Sequence, residues 1–196
     1  MNTVTASIER NTLETKINMS VTVGENIKTG LDGTSGVGFF DHMLNSLAIH
    51  AGMGIKLDMA GDLNVDCHHT VEDVGIVLGK LLSEIAAKRS PLVRYGTSFI
   101  PMDEALARCV IDISGRPYLV CDYTPVAPMI GDYDTQMTKE FFRAMAFNMG
   151  ATLHLSVLYG DNDHHMVEAL YKAFAHALAD AIKSKDGAVL SAKGTL

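Results

Sequence analysis

The length, composition and charge of this chain are typical of a globular protein and argue against a membrane or nucleic-acid-binding one. The chain has 196 residues, of which 47% are hydrophobic and 20% charged, and its formal net charge is −7, so an anionic ligand would have to be met by local positive groups. Three irregularly spaced cysteines, and a start without a basic region or a long apolar run, predict a soluble protein of the reducing cytoplasm with no membrane or nucleic-acid partner.

The first half of the chain alternates between strand-like and helix-like periodicity. Alternating apolar and polar residues predict a strand hairpin, and two later apolar runs have the spacing of amphipathic helices. The predicted elements are strands at residues 3–10 and 14–23, a turn-rich segment Gly30–Gly36, helix Phe39–Ile49, strand Gly54–Met59 and a helix from His68 to Lys88.

The second half repeats this order, and its elements are predicted as strands Thr97–Pro101, Ala105–Ser114 and Tyr118–Tyr123, a loop from Thr124 to Asp134, helix Thr138–Asn148, strand Thr152–Leu158 and a helix from Asp163 to Lys183. A repeat of roughly a hundred residues is longer than a solenoid unit. We therefore predict an α+β fold of two fused pseudo-symmetric half-domains, residues 1–92 and 93–196, each a mostly antiparallel sheet packed on two helices.

Each half carries a His-His-x-x-Glu motif at the start of its last predicted helix. The copies are His68-His69-x-x-Glu72 and His164-His165-x-x-Glu168. Neighbouring side chains on a helix diverge by about 100°, so each pair would offer one histidine to each of two ions. Imidazole and carboxylate together suit manganese, iron, zinc or nickel. The alternative is that the paired histidines are polar helix starts that face water.

The internal repeat adds one candidate ligand from the first helix of each half. His42 in the first half corresponds to Glu140 in the second, although Glu140 could equally be a solvated charge. The other histidines, His50, His154 and His176, are predicted to be structural or surface residues. The predicted metal ligands, enough for two six-coordinate sites that leave positions for substrate or water, are His42, His68, His69, Glu72, Glu140, His164, His165 and Glu168.

Positive and hydroxyl side chains that could hold a phosphate occur in three further stretches. They are Arg94 before Tyr95-Gly96, Arg116 between Gly115 and Pro117, and Ser191 and Lys193 in the Gly-containing tail. Arginine offers a fork of hydrogen-bond donors that matches a phosphate group. Each stretch taken alone is equally typical of an ordinary protein surface.

Several of these stretches resemble, in order, the imidazoleglycerol-phosphate dehydratase family of histidine biosynthesis. The resemblance covers nearly the whole chain and lies in Gly38–Leu44 (GFFDHML), Gly61-Asp62, Asp66–Asp73 (DCHHTVED), Pro101–Ala105 (PMDEA), Ser114–Pro117 (SGRP) and His164–Ala169 (HHMVEA). It implies a fold of the ribosomal protein S5 domain 2-like type. It also implies a homo-oligomer of twenty-four subunits whose active sites form between subunits.

The resemblance further implies a reaction and residue roles. The family dehydrates D-erythro-imidazole glycerol phosphate, a small-molecule phosphate, to imidazole acetol phosphate, with two Mn²⁺ ions per active site that bind the substrate imidazole as imidazolate. Its metal ligands match the set above apart from Glu140, where many members have histidine. The implied catalytic residues are Glu14, as an acid/base or hydroxyl-orienting group that reaches the substrate, and Glu72 and Glu168, as metal ligands. The implied phosphate-binding residues are Arg94, Arg116, Ser191 and Lys193.

Two other functions are compatible with these residue types. A di-metal hydrolase would direct a bridging hydroxide at a phosphate or amide and release phosphate or amine. A non-catalytic assembly would use the metal ions only to join subunits, and would give no role to Arg94, Arg116 and Lys193.

Overall fold

The structure is a computed structural model that describes residues 3–188 together with Leu190 and Ser191. In the first half, alternation of buried and solvent-facing residues along each strand creates one apolar sheet face, most regularly in the second strand. Two helices cover that half. The elements are β1 (Val4–Asn11), β2 (Thr15–Val23), β3 (Gly30–Thr34), α1 (Gly38–His50), β4 (Met53–Gly61) and α2 (His68–Arg89).

The second half contains the same succession of elements with one addition. A short two-stranded hairpin lies inside the stretch that the sequence predicted as a loop. The elements are β5 (Tyr95–Met102), β6 (Ala105–Ile113), β7 (Tyr118–Asp122), β8 (Met129–Ile130), β9 (Tyr133–Asp134), α3 (Met137–Met149), β10 (Ala151–Tyr159) and α4 (Asp163–Ala181).

The two four-stranded sheets have the same strand order and the same strand directions. The first sheet is ordered β1-β2-β4-β3 and the second β5-β6-β10-β7. In each sheet two neighbouring pairs are antiparallel, and the last pair, β3 with β4 or β7 with β10, is parallel. The predicted α+β fold of two pseudo-symmetric half-domains is therefore confirmed. The predicted boundary between residues 92 and 93 falls between α2 and β5 and stays a prediction.

The interpretation of Gly30–Gly36 as a turn is wrong for most of the segment, because its first five residues form β3 and pair in parallel with β4. Gly33 has a φ of +118°, and a Cβ at this position would lie 1.8 Å from the carbonyl oxygen of Leu57. A residue with a side chain could not adopt this conformation so close to the neighbouring strand. The glycines that suggested a turn are what allow the strand to form.

The helices pair across the two halves. α1 packs against α4, and α2 packs against α3, so each helix pair combines elements from both halves. Buried aromatic rings join α3 to α4, where Phe141 stacks on Tyr171 and Phe142 contacts Phe174. On the sheet side, α2 packs against β1 and β2, and α4 against β5 and β6. Among the described helices, none is both long enough and apolar enough to span a bilayer.

A glycine on α2 allows α3 to approach closely. A Cβ at Gly79 would lie 2.4 Å from the carbonyl oxygen of Met145 and 2.9 Å from the Cβ of Asn148. Both distances are shorter than a van der Waals contact, so any side chain at this position must push the two helices apart. The same helix pair carries the predicted ligands Glu72 and Glu140, so its spacing also sets the distance between their carboxylates.

We expect Gly79→Ala to lower the free energy of unfolding by about 1–3 kcal/mol, the usual cost of overpacking a core. This loss should exceed the ~1 kcal/mol by which a helix favours alanine over glycine. The thermal midpoint should fall by roughly 2–4 °C per kcal/mol. Gly38→Ala is the matched control, because no atom lies within 4 Å of a Cβ there. Equal midpoints for Gly79→Ala and the wild type would show that the close helix contact does not limit stability.

Candidate metal centre

The two histidine pairs lie at the first turns of α2 and α4, where a nearby polar side chain accepts a hydrogen bond from the backbone N–H of the first histidine of each pair. Asp66 Oδ1 accepts a hydrogen bond from the backbone N–H of His68 at 2.7 Å, and Asn162 Oδ1 accepts one from that of His164 at 2.9 Å. These bonds satisfy N–H groups that a helix start leaves free. The rings of each pair are inclined at 73° and 79° with centroids 6.0 and 6.1 Å apart, so they do not converge on one point.

Three of the predicted ligands meet where α1 packs against α4, and we call His42, His164 and Glu168 the first cluster. Glu168 Oε2 lies 3.6 Å from His42 Nε2 and 3.3 Å from His164 Nε2. One potential ligand atom from each residue lies within 4.8 Å of the other two. Ligands at about 2.0–2.2 Å from one ion lie roughly 2.8–4.4 Å apart, and the two distances from Glu168 Oε2 fall within this range.

The carboxylate of Glu168 is nearly buried but ionised. Its side chain is only 8% exposed, and Lys172, one turn further along α4, lies with Nζ 2.7 Å from Oε1. Burial by itself raises the pKa of Glu168, but the hydrogen bond and charge of Lys172, together with the two cluster histidines, outweigh burial and lower the pKa below its ordinary value. Lysine thus holds one carboxylate oxygen, and the other faces the histidines.

The corresponding residues of the repeat lie where α2 packs against α3, and we call His68, Glu72 and Glu140 the second cluster. Among the described residues, three potential ligand atoms lie within 4.8 Å of one another in the first cluster but not in the second. His68 Nε2 lies 3.6 Å from Glu72 Oε2. The guanidinium of Arg143 connects the two carboxylates, with Nη2 at 3.2 Å from Glu72 Oε1 and 2.7 Å from Glu140 Oε2. Arg143 was not predicted from the sequence, although its position three residues after Glu140 is the spacing of a helical ion pair. The positive charge of Arg143 therefore already lies between the two carboxylates of this cluster.

His69 contacts Asp62, directly after β4, and Glu14 in the hairpin turn between β1 and β2. Its Nδ1 lies 2.9 Å from Asp62 Oδ2, and its Nε2 lies 3.7 Å from Glu14 Oε1. The hydrogen bond to Asp62 raises the pKa of His69. Glu14 lies in the turn between β1 and β2 with its side chain 54% exposed. The predicted substrate-contacting residue is thus beside a predicted metal ligand, although the two are far apart in sequence.

His165 contacts the hairpin turn between β5 and β6 through both ring nitrogens. Its Nδ1 lies 2.7 Å from Glu104 Oε2, and its Nε2 lies 3.5 Å from Asp103 Oδ2. The hydrogen bond with His165 lowers the pKa of Glu104 to about 2 and raises the pKa of His165. Glu104 lies between β5 and β6 as Glu14 lies between β1 and β2. It was not predicted, but an alignment of the two hairpin turns within the repeat would have found it.

Two of the predicted phosphate-binding residues meet at the carboxylate of Asp112. Arg94 is buried, and its Nε and Nη2 donate to the two carboxylate oxygens at 2.6 and 3.1 Å. Its Nη1 donates to the backbone carbonyl just before Ser191. Arg116 lies 4.0 Å from the same carboxylate, with its side chain 69% exposed. Lys193 lies outside the described residues.

Comparison with known proteins indicates one family. A sequence model of the family described as imidazoleglycerol-phosphate dehydratase matches residues 35–178. The imidazoleglycerol-phosphate dehydratase of Clostridium botulinum (strain Hall) is 51% identical over 197 residues and covers 97% of each chain. That of Exiguobacterium sp. is 52% identical over 186 residues, covering 92% of this chain and 91% of the relative.

Solved structures give the same result. The crystal structure of imidazoleglycerol-phosphate dehydratase from Staphylococcus aureus superposes with a TM-score of 0.84 at 38% identity, covering 93% of this chain and 100% of the other. The structure of IGPD from Pyrococcus furiosus superposes with a TM-score of 0.82 at 33% identity, covering 96% of this chain and 100% of the other. The family match extends over most of the chain, and the relatives run nearly its full length. This chain therefore belongs to the imidazoleglycerol-phosphate dehydratase family, whose members are hydro-lyases.

Proposed function

We propose that this protein dehydrates imidazole glycerol phosphate to imidazole acetol phosphate in histidine biosynthesis, with two metal ions, Mn²⁺ by preference, in each active site. The observation that carries the metal part of the proposal is the first cluster, where His42, His164 and Glu168 offer three ligand atoms within 4.8 Å of one another. The second cluster, its counterpart in the internal repeat, supports a second ion.

The donor atoms of both clusters suit the proposed ions. Imidazole nitrogen together with carboxylate oxygen is a ligand set for manganese, iron, zinc or nickel. When bound, two such ions supply Lewis acids that stabilise the imidazolate form of the substrate ring. In the second cluster, Arg143 holds the carboxylates of Glu72 and Glu140 close together, so it would have to give up at least one of these contacts to an incoming ion.

We further propose that neighbouring copies of the chain complete each active site, in a homo-oligomer of twenty-four subunits. The first cluster offers three convergent protein ligands, whereas manganese and its relatives commonly take six. His69 and His165 instead contact the hairpin residues Glu14 and Glu104, and their side chains are 34% and 25% exposed. Partly exposed rings that are inclined to the first histidine of their pair can serve a metal ion held by another subunit.

Glu14 is the proposed acid/base or hydroxyl-orienting group. It lies beside His69 and is more than half exposed, so a ligand bound near that histidine can reach its carboxylate. Its counterpart Glu104 has three hydrogen-bond partners. It accepts hydrogen bonds from the backbone N–H groups of Asp161 and Asn162, and it contacts the ring of His165. The two hairpin carboxylates are therefore unequal, because Glu104 has more hydrogen-bond partners and its side chain is 38% exposed against 54% for Glu14.

The phosphate group of the substrate is proposed to bind at Arg94 and Arg116, with Ser191 and Lys193 of the tail as further contacts. Asp112 fixes the guanidinium of Arg94 through two hydrogen bonds, so this arginine is held in one orientation. Arg116 is mostly exposed and only 4.0 Å from the same carboxylate, which leaves most of its donors for a ligand.

Arg116→Ala is expected to raise the KM for imidazole glycerol phosphate about 10- to 100-fold, the equivalent of losing hydrogen bonds to a charged group worth about 1.5–3 kcal/mol. The rate at saturating substrate and the thermal midpoint should change little, since the side chain is exposed. Steady-state kinetics and thermal unfolding measure both. Lys183→Ala is the control, because it removes an exposed cation that pairs with Asp180 on the surface. An unchanged KM in Arg116→Ala would remove this residue from the site.

Arg94→Ala is a different case, because its side chain is buried and paired. Removing it leaves the carboxylate of Asp112 without its partner, and breaking such a pair typically costs about 3–5 kcal/mol when it is fully buried. A higher KM in this variant would therefore mix lost binding with lost stability, and Arg116 is the cleaner probe.

The cytoplasm is the proposed location. Cys67 and Cys109 are buried free thiols, and Cys121 is a partly buried one. Burial raises the pKa of each thiol above its ordinary value, which keeps it in the unreactive protonated form. Unpaired, protonated thiols are typical of proteins in reducing compartments.

The deciding experiment incubates the Mn²⁺-loaded protein with imidazole glycerol phosphate and follows formation of the ketone, with inorganic phosphate measured in parallel. We expect ketone and no phosphate release. Phosphate release without ketone would support a di-metal hydrolase. No turnover of any kind by metal-loaded, assembled protein would support a structural role for the metal ions.

A further inference from the structure

The carboxylate of Asp73 joins α2 to both strands of the first hairpin. Its Oδ2 accepts one hydrogen bond from Nη1 of Arg10 on β1 and another from Oγ1 of Thr15, the first residue of β2. Asp73 and Thr15 are buried, whereas the side chain of Arg10 is 26% exposed. The hairpin is therefore attached to α2 at one carboxylate oxygen, directly beside the turn that carries Glu14.

Two hydroxyl groups extend this attachment into the turn. Because the hydroxyl of Thr15 donates to Asp73, its oxygen is left to accept a hydrogen bond from the hydroxyl of Thr12, 3.2 Å away. Thr12 Oγ1 in turn accepts from the backbone N–H of Glu14 at 3.2 Å and from that of Thr15 at 2.9 Å. Bonds from a hydroxyl to nearby backbone groups hold a short turn in one conformation. The backbone of Glu14 thus depends on Asp73 through two threonines.

We propose that Asp73 is a positioning residue for the dehydratase reaction, because it holds Glu14 beside His69. The proposal rests on the role proposed above for Glu14. Asp73 follows His69 by four residues, so both side chains lie on the same face of α2. Glu14 Oε1 lies 3.7 Å from His69 Nε2, and the next hairpin residue, Thr15, is bonded to Asp73. Two consecutive hairpin residues therefore contact two α2 residues that are one helical turn apart.

The second half has the same hairpin and helix without these polar groups. In the strand registers and the repeated motif, the positions of Arg10, Thr15 and Asp73 correspond to Ile100, Ala105 and Ala169. Ala105 and Ala169 are buried, so apolar residues fill the same corner of the fold. The fold itself does not require the polar groups, which occur in the half whose hairpin carboxylate is proposed to act on substrate.

Asp73→Ala should lower the kcat of the Mn²⁺-loaded enzyme about 10- to 100-fold, since a displacement of about 1 Å can cost on the order of a hundredfold in rate. The KM for imidazole glycerol phosphate and the Mn²⁺ content should change little. Glu84→Ala is the matched control, because it removes another α2 carboxylate that pairs with a basic side chain, Lys88, at 2.7 Å. An unchanged kcat in Asp73→Ala would overturn the proposal. Loss of Mn²⁺ would also overturn it, because Asp73 would then serve the metal ligands beside it.

A second variant separates positioning from stability, because Asp73→Ala leaves the guanidinium of Arg10 without its partner. The triple change Arg10→Ile, Thr15→Ala and Asp73→Ala reproduces the residues of the second half. Its thermal midpoint should return towards that of the wild type, while its kcat should stay as low as that of Asp73→Ala. Recovery of the wild-type kcat together with the midpoint would show that these polar groups serve stability alone.

The Glu14→Gln background supplies a measurement that a purely structural role would not alter. If Asp73 acts through Glu14, adding Asp73→Ala to Glu14→Gln should cause no further loss of kcat, whereas the effects of independent residues multiply. A loss as large as the one that Asp73→Ala causes in the wild-type background would show that Asp73 does not act through Glu14, and the proposal would be wrong.

Hydrogen exchange of the first hairpin tests the same contacts without turnover. The backbone N–H groups of Glu14 and Thr15 should exchange faster in Asp73→Ala than in the wild type or Glu84→Ala, because the turn would open more often. Equal exchange in the three proteins would show that Asp73 does not hold the turn. Failure of the wild type to form ketone would reject the proposed dehydratase activity, whereas ketone formation at the wild-type rate by Asp73→Ala would reject only the positioning role.

Discussion

Glu168→Gln should bind one metal ion fewer per chain than the wild type and lose on the order of a thousandfold in dehydratase turnover, the equivalent of ~4 kcal/mol of transition-state stabilisation. Glutamine has the shape of glutamate but lacks its charge, so the first cluster would keep His42 and His164 and lose its only anionic ligand. The amide oxygen can still accept a hydrogen bond from Lys172. The fold should therefore persist while the cluster loses affinity for a cation.

Glu84→Gln is the matched control for this variant. Glu84 pairs with Lys88 at 2.7 Å across one helical turn, as Glu168 pairs with Lys172, but it lies on an exposed part of α2. Metal content, turnover and thermal midpoint are measured for both variants. Wild-type metal content in Glu168→Gln would exclude Glu168 as a ligand. A collapse of the thermal midpoint in this variant alone would show that the carboxylate serves the fold more than the metal.

The helices and most strands were predictable because local periodicity determines them. The helix predicted from His68 to Lys88 is observed as His68–Arg89, since its buried face recurs at the helical period. β3 was not predictable by the same reasoning. Its Gly33 serves a close approach to Leu57 on another strand, and composition cannot distinguish a glycine that makes a turn from one that allows two strands to meet.

The residue types of the site were predictable, but the partners were not. Spacing along one helix explains why His164 lies near Glu168, because residues four apart share a helix face. The contact of His42 with Glu168 depends instead on α1 packing against a helix of the other half. The contact between the rings of His50 and His176 depends on the same packing, and spacing within one half contains no information about it.

The two copies of the repeat carry different side chains at corresponding positions of the two clusters. Glu140 occupies the place of His42, and Arg143 connects it to Glu72, so the second cluster carries two carboxylates where the first carries one. Carboxylate in place of imidazole makes the site harder and more negative, which favours manganese over zinc or copper. Arg143 competes for both carboxylates, so an ion proposed for the second cluster should nevertheless dissociate more readily than one in the first.

Removal of metal ions should abolish turnover completely and shift the protein to smaller assemblies. Each cluster has fewer protein ligands than a six-coordinate ion takes. The partly exposed His69 and His165 are proposed to bind ions of neighbouring chains. The same ions would then position the substrate ring and join subunits. Dialysis against EDTA, followed by activity assay, elemental analysis and light scattering, tests both consequences on one sample.

Dialysis against EDTA already saturated with Mn²⁺ is the control for effects of the chelator itself. Adding Mn²⁺ back should restore two ions per chain, the large assembly and the dehydratase rate together, because one set of ligands serves all three. Full dehydratase rate in metal-free protein would overturn the proposed mechanism. Loss of the rate with no change in assembly size would support the catalytic role of the metal ions and exclude metal-bridged subunits. In that case the ligands of each ion would come from one chain, or from subunit contacts that persist without the ion.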